Sequence, residues 1–249
     1  MENREFFIDK DGFKLHAKLD FPESFEGKIP VMVMIHGLTG HMEEAHLLGV
    51  VRAANKAGVA TLRVEMYGHG GSDGEFKNHT VMDWVLEAIY VIDYAGNLEF
   101  ASEVYLMGHS QGGLAAVLAA GLKKEQVKKL VLLSAFTSCL DFCKNGDFFG
   151  TKFDPDNVPD EIRFWGDKVI TSNYLRVGRY LPVDEMIKAY KGPVLLVHGA
   201  CDGAVLPECS VRNAKMYANS RLELIEGDGH CYENHQDRME AVVYDFLKK

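Results

Sequence analysis

Five short apolar runs constrain this chain more than anything else in it: "VMVMIHG" (31–37), "VATLRVE" (59–65), "VYLMGHS" (104–110), "KLVLLSA" (129–135) and "PVLLVHG" (193–199). A strand with one covered face alternates apolar and polar residues, whereas a strand buried on both faces reads as a nearly unbroken apolar run. Stretches with helical spacing separate them, at 43–57, 80–95 and 111–122. Strand followed by helix, repeated, makes successive strands parallel and covers the sheet on both sides. The opening segments differ, because "REFFID" and "FKLHAKLDF" alternate about a "KDG" turn and predict an antiparallel hairpin. "RLELIEG" and "NHQDRMEAVVYDFLKK" supply a last strand and a last helix. The expected class is α/β, with a mostly parallel central sheet, an N-terminal antiparallel hairpin and helices on both faces.

The rhythm fails between Thr137 and Asp184, where the chain runs far longer than the dozen or so residues a parallel crossover needs. Pro155, Pro159, Trp165 and aromatic residues near Phe148 fall in this stretch. It reads as an insertion, and the expected organisation is a core of residues 1–136 and 185–249 with a small cap, or lid, subdomain at 137–184.

Charge and cysteine content narrow the setting. The formal net charge of −9 comes without any lysine- and arginine-rich block, so no surface suits nucleic acid. The apolar runs are too short to span a bilayer, and no membrane partner is expected. "MENREFFIDKDG" lacks the basic and apolar regions of a signal peptide, and five cysteines without framework spacing suit a reducing cytoplasm. Cys139 and Cys143 could be helix neighbours, but no second pair or spaced histidines make them a zinc site, and no metal is expected.

The chemistry lies in the loops that follow the strands. Gly108-His109-Ser110-Gln111-Gly112 fits G-x-S-x-G, with a buried strand before it and the small-residue helix "LAAVLAA" after it. A sharp strand-to-helix turn strains the serine backbone, and its neighbours two positions away must lack side chains for strand and helix to approach. The bland reading, a glycine-rich turn with an inert serine, loses ground once these flanks are counted.

A serine nucleophile needs a base and an acid to orient that base, which follow in the chain order Ser, Asp or Glu, His. Asp202 in "ACDGAVLP" and His230 in "GDGHCYEN" fall in loops after the last two strands, at the same sheet edge as Ser110. Two rivals remain: His235, at the start of the last helix, and Asp228, in a glycine turn. His36, His109 and His198 also lie at strand ends and could pack around the site. For the oxyanion, the backbone N–H groups of Gln111 and of Leu38 in "HGLTG" are the candidate donors, although "HGLTG" could equally be a tight turn.

"HGLTGH", "YGHGGSDG", "GHSQGG", "VHGACDGAV" and "GDGHCY", in this order, resemble the α/β-hydrolase superfamily over essentially the whole chain. The insertion, with "KFDPDNVPDEI", Trp165 and "NYLRV", resembles the small cap of bacterial cinnamoyl (feruloyl) esterases. The resemblance implies an α/β-hydrolase fold and cofactor-free hydrolysis of hydroxycinnamate esters. It assigns Ser110, Asp202 and His230 as triad and Leu38 and Gln111 as oxyanion donors. In the cap, it implies that Tyr174 meets the phenolic end of the substrate, that Trp165 forms a pocket wall, and that Asp141 stands near the family's cap aspartate. A homodimer is compatible with it. A generic short-chain acyl esterase or monoacylglycerol lipase-like hydrolase remains the alternative, and a catalytically silent ligand-binding α/β-hydrolase a more remote one.

Overall fold

The apolar runs assemble into one eight-stranded sheet in the computed structural model, which describes residues 3–249. In chain order its strands are β1 (Asn3–Lys10), β2 (Phe13–Asp20), β3 (Ile29–Ile35), β4 (Ala60–Val64), β5 (Ala101–His109) and β6 (Val127–Leu133). After the insertion, which contributes the short strands β7 (Asp147–Phe148), β8 (Thr151–Lys152), β9 (Glu161–Phe164) and β10 (Lys168–Thr171), come β11 (Val194–Gly199) and β12 (Ser220–Ile225). The spatial order is β1-β2-β4-β3-β5-β6-β11-β12. β1 and β2 form the predicted hairpin, turned by Asp11 and Gly12 at positive φ, and β2 runs antiparallel to β4. Every other pairing in the sheet is parallel.

Both faces of the sheet are covered, as the unbroken runs require. On β3, Val31, Val33 and Ile35 join one buried cluster while Met32 and Met34 join the other. The helices α1 (Ala45–Lys56) and α8 (Gln236–Leu247) close the methionine side, where they pack against each other. On the opposite side lie α2 (Val81–Gly96), started by a capping box between Thr80 and Asp83, and α3 (Gln111–Leu122). α3 is buried over nearly its whole circumference, and its alanines and glycines allow that approach: a Cβ on Gly113 would lie 2.6 Å from the Ala135 Cβ.

The insertion adds α4 (Cys139–Asn145), two antiparallel ribbons (β7 with β8, and β9 with β10) and α5 (Ser172–Gly178), all outside the main sheet. α6 (Val183–Ala189) returns the chain against α3, where a Cβ on Gly121 would meet Met186 at 2.7 Å. α7 (Glu208–Met216), between the last two sheet strands, has no counterpart in the sequence reading. Because β3 leads to β4 on one side while β5 follows on the other, the crevice at the C-terminal ends of β3 and β5 is the topological switch point, where ligands bind in open α/β sheets. No helix among the described residues is long and apolar enough to cross a membrane.

Candidate active site

At the end of β5 the chain turns into α3 through Ser110, whose φ of 53° and ψ of −119° lie where a side chain is strained. Three backbone hydrogen bonds hold it there. Ser110 N–H donates to the Leu133 carbonyl at 3.0 Å, and its own carbonyl accepts from Phe136 N–H at 2.8 Å and Leu114 N–H at 3.1 Å. The turn leaves no room for larger neighbours: a Cβ on Gly108 would stand 2.2 Å from the Gly112 carbonyl oxygen, and one on Gly112 would stand 2.2 Å from that of His36. The serine hydroxyl forms no hydrogen bond to another described residue.

Asp202 and His230 meet, although they come from loops after different strands. His230 Nδ1 and Asp202 Oδ2 are 2.6 Å apart, and the same carboxylate oxygen lies 3.0 Å from His198 Nε2. The other oxygen accepts the N–H groups of Ala204 and Val205, each at 2.9 Å. Burial alone would raise the Asp202 pKa, but hydrogen bonds from His198 and His230 outweigh it and hold the carboxyl well below the usual carboxylate range. His198 is fixed in turn. Its Nε2 also faces the Val205 carbonyl, which can only accept, so Nε2 carries the proton and Nδ1 accepts from the Ser210 hydroxyl at 2.7 Å. The histidine among strand-end neighbours that touches the acid is thus His198, a role its place in "LLVHG" does not announce.

The rivals go elsewhere. Asp228 is buried and accepts the backbone N–H groups of Asn234 and His235, both at 2.8 Å, which shapes the loop leading into α8. His235 is the residue preceding that helix, with its ring 3.6 Å from Asp228. His36 braces the loop after β3: its Nδ1–H donates to the Gly37 carbonyl and its Nε2 accepts from Met66 N–H. Burial and the neighbouring His69 push its pKa down to about 3.

The "HGLTG" loop lies directly against the serine, since a Cβ on Gly37 would be 3.3 Å from the Ser110 Cβ. This sets the loop against the residue before Gln111, the first residue of α3, whose N–H belongs to the unpaired first turn of a helix. The Leu38 carbonyl is held from behind by His69 Nε2. Gln111 is buried, and its side-chain oxygen accepts the Tyr174 hydroxyl at 2.6 Å. Tyr174, on α5, is itself fully buried, with Cys139 Sγ 3.8 Å from its oxygen and the His79 and Phe148 rings in T-shaped contact with its ring. Its hydroxyl is therefore committed to the residue after the serine rather than presented at an open surface.

A cavity of about 750 Å³ opens between the insertion and the Asp202 loop, lined by Phe142, Phe149, Trp165, Asn145, Asp147 and Lys152, with Gly203 and Ala204 on the loop side. Trp165 is half exposed and sits at positive φ in the β9–β10 turn, its ring tilted against that of Phe149 with centroids 4.4 Å apart. Aromatic contacts continue inward through Phe136, whose ring is 5.0 Å from Phe142 and 5.1 Å from Phe149 and whose N–H holds the Ser110 carbonyl. Asp141 is not part of this lining. It borders a separate cleft with Arg179 and Arg212.

A family model described as serine aminopeptidase, S33, matches residues 28–141, from the approach to β3 into α4, and so includes Leu38 and Ser110 but not Asp202 or His230. The chain is 43% identical to Est1E from Butyrivibrio proteoclasticus, solved with ferulic acid bound, with 97% of each chain covered and a TM-score of 0.95. It is also 33% identical over 134 residues to a protein of Haemophilus influenzae named as an esterase/lipase, covering 54% of this chain and 44% of that one. Human protein ABHD12B matches at 27% over 218 residues, 86% of this chain and 54% of that protein. The chain thus spans about half the length of these curated relatives.

Proposed function

The chain belongs to the α/β-hydrolase superfamily, and we propose that it is a serine esterase whose substrates are hydroxycinnamate esters of the feruloyl, p-coumaroyl and caffeoyl type. Ser110 Oγ attacks the ester carbonyl while His230 Nε2 takes its proton. Asp202, accepting from His230 Nδ1, holds the tautomer that leaves Nε2 free and stabilises the imidazolium that forms. The Leu38 and Gln111 N–H groups receive the oxyanion. His230 then protonates the departing alcohol, and a water activated by the same imidazole releases the acid from Ser110.

The observation that carries the acyl preference is the aromatic-walled cavity beside the Asp202 loop. Phe142, Phe149 and Trp165 offer flat apolar walls to a planar ring, and Asn145, Asp147 and Lys152 offer hydrogen bonds to its oxygen substituents. The ferulic acid held by Est1E, at 43% identity, supports the same reading. Five unpaired cysteines support a reducing, cytoplasmic setting.

The second reading, hydrolysis of aliphatic acyl esters, rests on the similarity to the Haemophilus esterase/lipase. Specificity constants on methyl ferulate, methyl p-coumarate and a monoacylglycerol separate the two. The proposal expects both cinnamates to exceed the glyceride at least tenfold; a preference for the glyceride would leave the triad standing and overturn the acyl assignment.

A further inference from the structure

Next to the serine turn, three ligand-type side chains converge from a helix, a strand end and a loop. His46 stands near the start of α1, His109 closes β5, and Cys231 follows His230. His46 Nε2 or Nδ1, a ring nitrogen of His109 and Cys231 Sγ offer donor atoms that all lie within 4.8 Å of one another. The two imidazole rings are almost completely buried, with centroids 4.2 Å apart.

Their hydrogen bonding is incomplete in a specific way. His109 Nε2 faces the His230 carbonyl at 3.0 Å, and because a carbonyl only accepts, Nε2 bears the proton and Nδ1 bears a lone pair. That Nδ1 is buried without a hydrogen-bond partner among the described residues, and so is His46 Nε2. The Glu44 Oε2 atom is a third such orphan, 3.9 Å from His46 Nε2. A buried polar atom left unpaired costs about 1–3 kcal/mol, and His46, His109 and the neighbouring Glu44 each leave one. An imidazole whose far nitrogen is fixed by a backbone carbonyl is also the usual arrangement of a metal-ligating histidine.

The geometry points to a transition-metal site, formed by His46, His109 and Cys231 with Glu44 in reach as a fourth ligand, that takes Zn²⁺. Two imidazoles, a thiolate and a carboxylate match zinc's ligand preferences and suit neither Ca²⁺ nor Mg²⁺, which take oxygen. Tetrahedral zinc at its normal bond lengths sets such donors about 3.3–3.6 Å apart, so the cluster closes by small side-chain rotations. Binding replaces the Cys231 thiol proton with the metal and releases that proton to solvent. The site is independent of the acyl preference, since it shares no residue with the aromatic cavity.

Titration of the metal-stripped full chain with Zn²⁺ against a chromophoric chelator, and with Co²⁺ followed by absorption, tests it. One equivalent of Zn²⁺ is expected, with a Co²⁺ complex whose spectrum carries a thiolate-to-metal band. Cys231→Ser removes that band, and both Cys231→Ser and His46→Ala weaken Zn²⁺ binding at least tenfold, while Cys139→Ser and Cys201→Ser leave it unchanged. Retained labelling of Ser110 by a fluorophosphonate verifies that each variant is folded. Absence of stoichiometric binding in the wild type, or binding that survives both Cys231→Ser and His46→Ala, would overturn the assignment.

Discussion

At the scale of single residues, Trp165 and Tyr174 test the proposed function in two different ways. Trp165 walls the cavity, so Trp165→Ala is expected to lower kcat/KM on methyl ferulate about tenfold more than on 4-nitrophenyl acetate, a difference of about 1.4 kcal/mol in transition-state binding. Tyr174 donates to the Gln111 side chain, so Tyr174→Phe leaves a buried amide oxygen without its donor. That change should cost about 1–3 kcal/mol in a urea titration and lower kcat on both esters by a similar factor. A loss confined to the cinnamate would show that Tyr174 meets the ring instead. Ser110, Asp202 and His230 stand out in the sequence as candidates because each sits just after an apolar run, where loops meet at one sheet edge. His198 on Asp202 and Tyr174 on Gln111 do not, because a buried pair between distant segments leaves no spacing to read.

Among the elements, the β5–α3 turn has the least freedom. Gly112→Ala would drive a Cβ into the His36 and Ile35 carbonyl oxygens, at 2.2 and 2.5 Å, and neither backbone can yield without opening the sheet. A loss of at least about 3 kcal/mol in denaturant titrations is expected, with esterase activity falling alongside. α2 carries a second test, because it buries Glu87, which accepts the Tyr67 N–H. Burial raises its pKa to about 7, so between about pH 4.3 and 7 the folded chain keeps a proton that the unfolded chain has lost, and stability falls as pH rises. Buried His36 and His79 act in the opposite sense: burial lowers them to about 3 and about 4, the unfolded chain holds the extra protons up to about pH 6.5, and stability rises with pH. Removing the opposing group, Glu87→Gln should steepen the rise in stability between pH 5 and 6.5 by up to about 1.4 kcal/mol per pH unit. An unchanged slope would mean that Glu87 ionises normally. The sheet strands and α1, α2, α3 and α8 were readable from apolar periodicity. The two- and four-residue strands of the insertion are too short to carry a period, and only their prolines, glycines and unusual length marked the segment.

For the molecule as a whole, the division of labour follows the chain. Parallel strands bring Ser110 and the "HGLTG" loop to the switch point and set Asp202 and His230 in the loops after β11 and β12, and the inserted segment supplies the aromatic walls beside the Asp202 loop. Sequence patterning gave access to the first part, since strand order and strand ends follow from general packing rules. The cavity was less accessible, because which of the many aromatic residues line it depends on how the ribbons fold back; Asp141, next to Phe142 in sequence, faces a different cleft. The most direct test of the account is to mix the enzyme with 4-nitrophenyl ferulate, quench with acid during turnover and map the protein by mass spectrometry. The account predicts a feruloyl group on Ser110, formed with a burst of 4-nitrophenol and absent from Ser110→Ala. A feruloyl group on another residue, equal 4-nitrophenol release by Ser110→Ala, or no feruloylation of an enzyme that 4-nitrophenyl butyrate readily acylates, would contradict it.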